Sequence, residues 1–345
     1  MPQPTEITTD GAVVAPNAPA APSAPFGSVF GPAMAVAHFD GASWSAPEVV
    51  ALDSFALHPG THALHYGSSC FEGLKAHRYP DGRVVTFRAD AHVARLQQST
   101  ARLCLPVPSA ALVAELIALT VDANEAVAPA SPGSLYLRPT VLGTDVTIGA
   151  AAHPSETAIL YVLACPVGDY LPPRPLTVAV ETVTPRTTPQ FGVVKSGANY
   201  AMALTPIMAA RERYGADQVL FAPGGQLQET GASNIVLIDG DHLLTPALTE
   251  AYLHGVTRDS LLRLARHRGW TVEEREVSLD ECVAWIARPH AELALSGTAA
   301  VVAPVGTLVV DGEPLPVGAR GEWPRTAELR AALIDIQVGR SSFDW

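Results

Sequence analysis

The sequence predicts an α+β protein built from two domains. Its 345 residues are too many for one ordinary core and suit two domains of roughly 100 to 200 residues each. Helical and strand-like patterns both occur, without the regular βαβ alternation that a doubly wound parallel sheet needs. The segment 166–175, PVGDYLPPRP, contains four prolines, which neither a helix nor a central strand tolerates. It is therefore predicted to link a smaller domain at 26–165 to a larger one at 176–345.

Composition and charge narrow the classes of partner. The formal net charge of −12 disfavours nucleic acid and anionic membranes, because both are bound through basic patches. No apolar run approaches the roughly 20 residues of a membrane span. Residues 1–25 are rich in proline and alanine and are predicted to form a disordered tail. This tail lacks the basic start and the apolar run of a secretory signal.

The cysteines indicate a reducing compartment. They are far apart and form no CxxC pair, which disfavours a zinc site and a redox motif. The four are Cys70, Cys104, Cys165 and Cys282. A cytoplasmic location is therefore predicted.

In the first domain, alternating apolar residues predict strands, and helical spacing predicts two helices. The predicted strands are 34–39, which turns at Asp40–Gly41 into a short run through Trp44, and then 83–87, 134–142 and 158–165. The first helix is expected to have Asp90 as its N-cap and to stop before Pro106. The second is expected to begin after Ser109, where leucines recur at helical spacing.

The second domain is predicted to consist mainly of strands, with two helices. The predicted strands are 176–183, 218–221, 234–238, a strand ending at Pro246, and 301–310. One helix is predicted over 200–214, closed by Gly215, with Pro206 in its first turn. The other is predicted over 258–268, with Thr257 as its cap.

Lys195 is the residue that first suggests a chemistry. The chain has only two lysines, Lys75 and Lys195, against twenty arginines. Lys195 follows Val193 and Val194, and burial among apolar neighbours favours the neutral amine, which is a nucleophile. Arginine serves equally well at a solvated position, but it cannot form a Schiff base with a carbonyl group. A Schiff-base lysine is the functional interpretation, and a strand-end lysine that reaches water is the structural one.

Lysine Schiff-base chemistry often uses pyridoxal phosphate, which needs three further groups. For its phosphate, the segment 255–259 places a glycine before a helix N-terminus, and Arg95 supplies a cation. For the ring nitrogen there is the acid Glu229, and for the phenolic oxygen there is Tyr200. Each residue also has an ordinary interpretation, as a helix cap, a solvated arginine, a surface acid or a core tyrosine.

Taken as an ordered set, the motifs resemble the fold-type IV pyridoxal-phosphate aminotransferases, and most closely the branched-chain amino acid aminotransferases. The segments that carry the resemblance are HYG at 65–67, FEG at 71–73, LYLRP at 135–139, KSGANY at 195–200, ETGASN at 229–234, GVTR at 255–258 and LSGTAA at 295–300. The resemblance spans 31–316. It implies a smaller N-terminal α/β domain with an antiparallel sheet. It also implies a larger C-terminal domain that binds the cofactor, with a β-barrel-like core and flanking helices.

The resemblance implies a role for each matching residue. Lys195 would be the catalytic residue that binds the cofactor as a Schiff base and moves a proton. The other residues implied to bind the cofactor are Arg95, Tyr200, Glu229, Val256, Thr257 and Thr298. Those implied to bind the substrate are Tyr66, Phe71, Tyr136, Arg138, Tyr170, Thr298 and Ala299. Lys75 is expected near the pocket mouth, with a solvated position as the alternative.

The implied reaction is a ping-pong transfer of an amino group between L-leucine, L-isoleucine or L-valine and 2-oxoglutarate. The partners would be small amino and 2-oxo acids and a second copy of the chain in a homodimer. The family's glycine-rich run before the lysine is replaced here by TTPQFG at 187–192. Alternatives are a D-amino-acid or (R)-amine transaminase, an aminodeoxychorismate lyase, and a non-catalytic binding protein. A metal site on His58, His62 and His65 is disfavoured, because Pro59 and Gly60 disrupt a shared helix face.

Overall fold

The computed structural model describes residues 12–13, 25–53, 55–170, 174–318 and 321–345. Two large β-sheets organise these residues, and helices pack against both. The predicted disordered tail lies outside the described residues, apart from Pro25 and a two-residue strand, Ala12–Val13, that pairs in parallel with Val29–Phe30.

The described strands and helices are numbered in chain order. The strands are β1 Ala12–Val13, β2 Val29–Phe30, β3 Ala33–Phe39, β4 Glu48–Ala51, β5 Ser69–Phe71, β6 Leu74–Arg78, β7 Val84–Thr86, β8 Ser134–Gly143, β9 Ala158–Val167, β10 Leu176–Glu181, β11 Gln218–Phe221, β12 Asn234–Asp239, β13 His242–Pro246, β14 Thr271–Arg275, β15 Ala291–Gly297, β16 Val301–Val310 and β17 Glu313–Pro316. The helices are α1 His62–Tyr66, α2 Ala89–Arg102, α3 Ala110–Ala123, α4 Gly197–Tyr214, α5 Val256–His267, α6 Leu279–Ile286 and α7 Pro324–Gln337.

The first sheet is antiparallel and has the strand order β4-β3-β9-β8-β6-β7, with β5 also paired to β8. Helix α3 packs on β3 and β9, and α2 packs on α3 and β5. Ser109 caps α3 as predicted, because its Oγ accepts a hydrogen bond from Leu112 N at 3.1 Å. Leucines of these elements form a single core between helices and sheet.

The second sheet has the order β11-β10-β16-β15-β12-β13-β14, with β17 paired to β16. Residues 226–230 join its two edges. Gln228 N donates to Phe221 O in β11 at 3.0 Å, and Leu227 N donates to Val277 O, just beyond β14, at 2.9 Å. The sheet therefore closes into the barrel-like core that the resemblance implies.

Each sheet has its own hydrophobic core. We propose domain limits of 26–167 and 176–345 on this basis. The predicted linker, 166–175, starts too early, because Pro166 and Val167 still pair with Leu135 and Ser134 at the end of β9. Asp169, inside this linker, is held by Arg330 of α7 at 2.6 Å. Residues 171–173 of the linker lie outside the described residues.

The predicted N-cap of α2 is wrong. Arg88, not Asp90, takes the cap position, and Asp90 lies in the first turn, where its charge suits the positive helix end. Arg88 adopts the left-handed conformation, with φ 48°. Its side chain reaches α5, where Nη1 donates to Ser260 Oγ at 2.8 Å and pairs with Asp259 at 2.7 Å. This contact across the two domains provides a physical reason for the unusual backbone at Arg88.

The predicted starts of α4 and α5 are also wrong. Ser196 caps α4, its Oγ accepting from Ala198 N at 3.3 Å, so the helix begins at Gly197 and contains Pro206 in its interior. Gly255, rather than Thr257, is the N-cap of α5. Gly255 is required there, because a Cβ would lie 2.1 Å from Asn234 Oδ1. The start of α5 therefore includes both Val256 and Thr257 in its first turn.

Candidate active site

The main chain of Lys195 is fixed by the first domain. Lys195 N donates to Ser99 Oγ of α2 at 3.0 Å, and Phe71 N of β5 donates to Lys195 O at 2.9 Å. Val193 and Val194 are buried beside it, as the sequence predicts. The side chain of Lys195 is half-buried, on the loop that leads into α4. A reactive side chain is thus carried on a rigidly held backbone.

Tyr200 contacts the lysine directly. Lys195 Nζ donates to Tyr200 Oη at 2.8 Å. Burial alone would raise the pKa of the Tyr200 phenol, but the Lys195 ammonium and the Arg186 guanidinium outweigh burial and lower it. Phe71 lies beside both, with Lys195 Nζ 5.3 Å from its ring centroid. The pair can therefore share a proton within an aromatic wall.

Glu229 is buried in the seam that joins the edges of the second sheet. Its Oε1 accepts from Arg186 Nη1 at 2.5 Å and from Leu253 N at 3.0 Å. Its Oε2 accepts from Asn234 Nδ2 at 3.3 Å. Burial raises the pKa of this carboxyl, and the Arg186 guanidinium is the strongest influence that opposes the rise. A buried carboxylate of this kind can pair with a cationic ligand atom.

Arg95 and the start of α5 form a candidate anion site. Arg95 is buried and pairs with Glu72, with Nε 2.6 Å from Oε1 and Nη2 2.9 Å from Oε2. Its Nη1 donates to His254 O at 2.8 Å, immediately before the N-cap of α5. The first turn of α5 carries N–H groups that no capping side chain among the described residues accepts from. A cation and a helix N-terminus meet here, which suits a phosphate group.

Electrostatic contacts join these groups into one site. The charges of Tyr200 and Glu229 both act on Arg95, and those of Lys195 and Arg95 both act on Glu229. Lysine, phenol, acid and anion site are therefore grouped as a pyridoxal phosphate cofactor needs them.

The turn between β15 and β16 contains Thr298 and Ala299. Val301, directly after it, has φ 63°, a left-handed conformation that is strained for a β-branched residue. Lys75 is buried rather than solvated, and its Nζ donates to Ala299 O at 2.7 Å. Burial lowers the pKa of Lys75 to about 8. Ser296 Oγ is buried and has no hydrogen-bond partner among the described residues, so it is available to a ligand.

Phe71, Tyr136 and Arg138 lie against one another beside Lys195 and form an aromatic wall of the candidate site. Arg138 Nη2 donates to Tyr136 Oη at 3.0 Å, and its guanidinium carbon lies 4.5 Å from the Phe71 ring centroid. Arg138 Nε is buried without a hydrogen-bond partner in the described ranges, which leaves it available to a polar ligand group. Gly73 is required beneath this wall, because a Cβ there would lie 2.0 Å from Tyr136 Oη.

The two other tyrosines that are predicted to bind the substrate, Tyr170 and Tyr66, differ in their contacts with this wall. Tyr170 is joined to Tyr136 through Phe26, whose ring centroid is 4.9 Å from both. Tyr66 lies on α1 and donates to Ile148 O at 2.5 Å, and no described contact joins it to Lys195 or Tyr136.

Sequence reasoning missed four residues of the site. Phe26 contacts Tyr136, and Glu72 pairs with Arg95. Arg186 and Asn234 both donate to Glu229. Glu72 lies in the FEG motif and Asn234 in the ETGASN motif, so the sequence could have indicated that these polar side chains belong to the site. Arg186 had no local signal, because its partner is 43 residues away in sequence.

The three histidines considered for a metal have other partners. His62 Nδ1 lies 2.8 Å from Ser68 Oγ, and His65 Nε2 lies 2.8 Å from Pro59 O. Within the described ranges, no group of three or more His, Cys, Asp or Glu side chains is arranged to hold a metal ion. Nor is any helix of the described chain long and apolar enough to cross a bilayer.

Known proteins with similar sequences or structures are aminotransferases. The family described as amino-transferase class IV matches residues 69–308. A probable branched-chain-amino-acid aminotransferase of Streptomyces coelicolor is 36% identical over 312 residues, which cover 87% of this chain and 84% of that protein. Branched-chain-amino-acid transaminase 1 of Bacillus subtilis is 35% identical over 332 residues, covering 93% and 92%.

Solved structures of branched-chain amino acid aminotransferases are also similar to this chain. A branched-chain amino acid aminotransferase from T.th., solved with pyridoxamine 5′-phosphate, matches with a TM-score of 0.75 and 26% identity, covering 89% of this chain and 95% of that one. The branched-chain amino acid aminotransferase from Escherichia coli matches with a TM-score of 0.71 and 26% identity, covering 91% and 97%.

Proposed function

The chain belongs to the class IV aminotransferases, and on this premise we propose its reaction and the residues that perform it. It is a pyridoxal-phosphate-dependent transaminase of fold type IV that transfers an amino group between L-leucine, L-isoleucine or L-valine and 2-oxoglutarate. The D-amino-acid, (R)-amine and aminodeoxychorismate alternatives are not favoured, because the relatives that match most of the chain are branched-chain enzymes.

The observation that carries the proposal is the contact of Lys195 Nζ with Tyr200 Oη, within the electrostatic reach of Glu229 and Arg95. When bound, pyridoxal 5′-phosphate supplies an aldehyde that captures amino groups and a ring that withdraws electrons from the substrate carbon. Lys195 Nζ would hold the cofactor, and the same nitrogen, when free, would take and return the proton.

The remaining cofactor contacts follow from charge. Tyr200 Oη would bind the phenolic oxygen, and the carboxylate of Glu229 would bind the protonated ring nitrogen. Arg95 and the N–H groups of Val256, Thr257 and Thr298 would hold the phosphate, since a helix N-terminus with a cation favours an anion.

The substrate would bind against the aromatic wall. An aliphatic side chain gains about 1.5 to 3 kcal/mol from full burial, and Phe71, Tyr136 and Tyr170 supply apolar surface for it. Arg138, through Tyr136 Oη, and the backbone at Thr298 and Ala299 would bind carboxylate oxygens. Arg138 also provides the polar contact that the second carboxylate of a glutamate requires.

An absorption spectrum of the purified protein tests this function. We expect a band near the visible edge that disappears with L-leucine and returns when 2-oxoglutarate is added, because the amino donor and the oxo acid react in turn in a ping-pong transfer. D-alanine should leave the band unchanged. A band that responds only to D-alanine or an (R)-amine would refute the substrate assignment. The absence of a band after added pyridoxal phosphate would refute the cofactor assignment.

We further propose a homodimer in the cytoplasm. The α1 patch, formed by Leu64, Tyr66, Val146 and Ile148, supports a second copy, because Leu64, Val146 and Ile148 are apolar side chains that remain 62%, 58% and 74% exposed. Tyr66 would then contribute to the neighbouring copy's substrate site. All four cysteines are free, which suits a reducing compartment.

Light scattering after size exclusion tests the dimer. We expect a mass twice the 36.2 kDa of one chain, and a single-chain mass for the double variant Leu64→Asp, Ile148→Asp. Val183→Asp is the matched control, because Val183 is an exposed apolar side chain outside the α1 patch. A wild-type protein that elutes as a monomer at all concentrations would exclude the dimer.

A further inference from the structure

Arg186 is a buried cation next to the proposed cofactor acid. It lies between β10 and α4, and the side chains of Arg186 and Glu229 are each only 3% exposed. Its Nε and Nη2 donate to Gly231 O at 3.3 and 3.2 Å, while its Nη1 donates to Glu229 Oε1. Its guanidinium carbon also lies 5.6 Å from the Tyr200 ring centroid. The fork of the guanidinium is thus fixed by three hydrogen bonds in a single orientation.

A buried arginine needs a reason, because removing a charge from water is costly unless it is paired. The pair with Glu229 meets that need, and Arg186 also favours the ionised form of Glu229. Burial drives this carboxyl toward its neutral form, while Arg186, Leu253 N, Lys195 and Arg95 oppose burial, with Arg186 foremost. Two phenols, those of Tyr200 and Tyr252, also interact electrostatically with Glu229.

The two oxygens of Glu229 are used unequally. Oε1 accepts two hydrogen bonds, from Arg186 at 2.5 Å and from Leu253 N at 3.0 Å. Oε2 accepts one long bond, at 3.3 Å, from Asn234 Nδ2, which also donates to Leu253 O at 2.9 Å. A carboxylate oxygen has room for two acceptor contacts, so Oε2 keeps unused capacity.

We propose that Arg186 is a positioning residue that keeps Glu229 ionised and leaves Oε2 as the oxygen able to accept a hydrogen bond from the ring nitrogen of the bound cofactor. The inference rests on the proposed function, which assigns Glu229 to that nitrogen. In an apolar site, a proton between a carboxylate and a pyridine nitrogen can lie on either atom. A guanidinium bonded to Oε1 lowers the proton affinity of the carboxylate, so the proton stays on the nitrogen.

The location of this proton can be measured directly. Pyridoxal phosphate labelled with ¹⁵N in the ring is bound to the wild-type protein, and its nitrogen chemical shift distinguishes the protonated ring from the neutral one. Arg186→Met removes charge and hydrogen bonds. Arg186→Gln keeps an amide donor without charge and is the variant better able to fold. Arg186→Lys keeps a charge without the fork, and Arg325→Met removes an arginine that pairs with Asp241 and Glu328 instead.

We expect the wild type and Arg325→Met to give the signal of a protonated ring. In Arg186→Met and Arg186→Gln the signal should move toward the neutral ring, corresponding to a shift of about tenfold or more in the proton equilibrium. Arg186→Lys should restore most of the wild-type signal. Cofactor occupancy is checked by absorption in every sample.

Two results would overturn the inference. One is an unchanged nitrogen signal in whichever neutral variant folds, and the other is an equal displacement in the lysine and neutral variants. Neither result contradicts the proposed function, because the wild-type protein would still bind the cofactor. The proposed function fails separately, if the wild-type protein binds no labelled pyridoxal phosphate.

Discussion

Lys195→Ala is expected to abolish transamination and the visible absorption band together. In the proposed mechanism the amine that holds the cofactor and the base that moves the proton are the same atom, Nζ, and proton transfer alone is worth about 10²- to 10⁴-fold in rate. We expect kcat with L-leucine to fall by at least about a thousandfold. The loss is measured as 2-oxoglutarate-dependent formation of the branched-chain oxo acid, alongside the spectrum.

Two variants control this experiment. Lys195→Arg keeps a positive charge beside Tyr200 but cannot form a Schiff base, so it should be as inactive as the alanine variant. Lys75→Met removes the other lysine, and the band should survive, since Lys75 Nζ is bonded to Ala299 O rather than to Tyr200. Substantial activity in Lys195→Arg, or a band lost only in Lys75→Met, would show that the wrong lysine has been assigned.

Glu229→Gln is expected to slow the reaction while the cofactor remains bound. The amide preserves shape but removes the negative charge that, in the proposed assignment, favours a protonated ring nitrogen, so the ring would withdraw electrons less well. Loss of one preorganised electrostatic contact to a developing charge costs about 10²- to 10³-fold in kcat. We expect a decrease in that range for L-leucine, with the band retained and with KM changed far less than kcat.

Glu292→Gln provides the matched control. Glu292 is also buried in the second sheet, but it accepts from Arg325 N at 2.8 Å and Thr326 N at 2.7 Å at the start of α7. Its variant should lose stability, through a weakened helix start, and keep kcat within a few-fold of wild type. If the two glutamine variants slow the reaction equally, Glu229 has only a structural role.

The elements that the sequence predicts best are those with a local signal. Ser109 caps α3, and Gly215 closes α4 in the left-handed conformation, because both positions depend on a few neighbouring residues. Helix α6 was not predicted, although it also carries a local signal. Ser278 precedes it, with Glu281 three residues later, and Ser278 Oγ accepts from Glu281 N at 3.1 Å.

Residues determined by distant contacts could not be predicted in this way. Arg88 combines a left-handed conformation with a side chain that is bonded to α5, more than 170 residues later. Arg186 and Glu229 are 43 residues apart, and nothing in the TTPQFG segment indicates that a buried ion pair adjoins it. The solvated alternative for Lys75 is wrong, and the sequence gives no local signal of its burial because its partner, Ala299 O, is 224 residues away. Local patterns identify the reactive side chains, while the groups that tune them depend on the closed tertiary structure.

The backbone contacts of Lys195 also bear on how such a protein can be recombined. The lysine lies between β10 and β11 of the second sheet, yet its N–H and carbonyl are bonded to Ser99 and Phe71 of the first domain. A chimera that joins the first half of one relative to the second half of another would inherit its lysine from one parent and the lysine's support from the other. The serine hydroxyl on α2 and the β5 main chain would have to match across that crossover, or the amine would shift relative to its phenol. We therefore expect such a chimera to be active only when both backbone contacts of Lys195 are preserved.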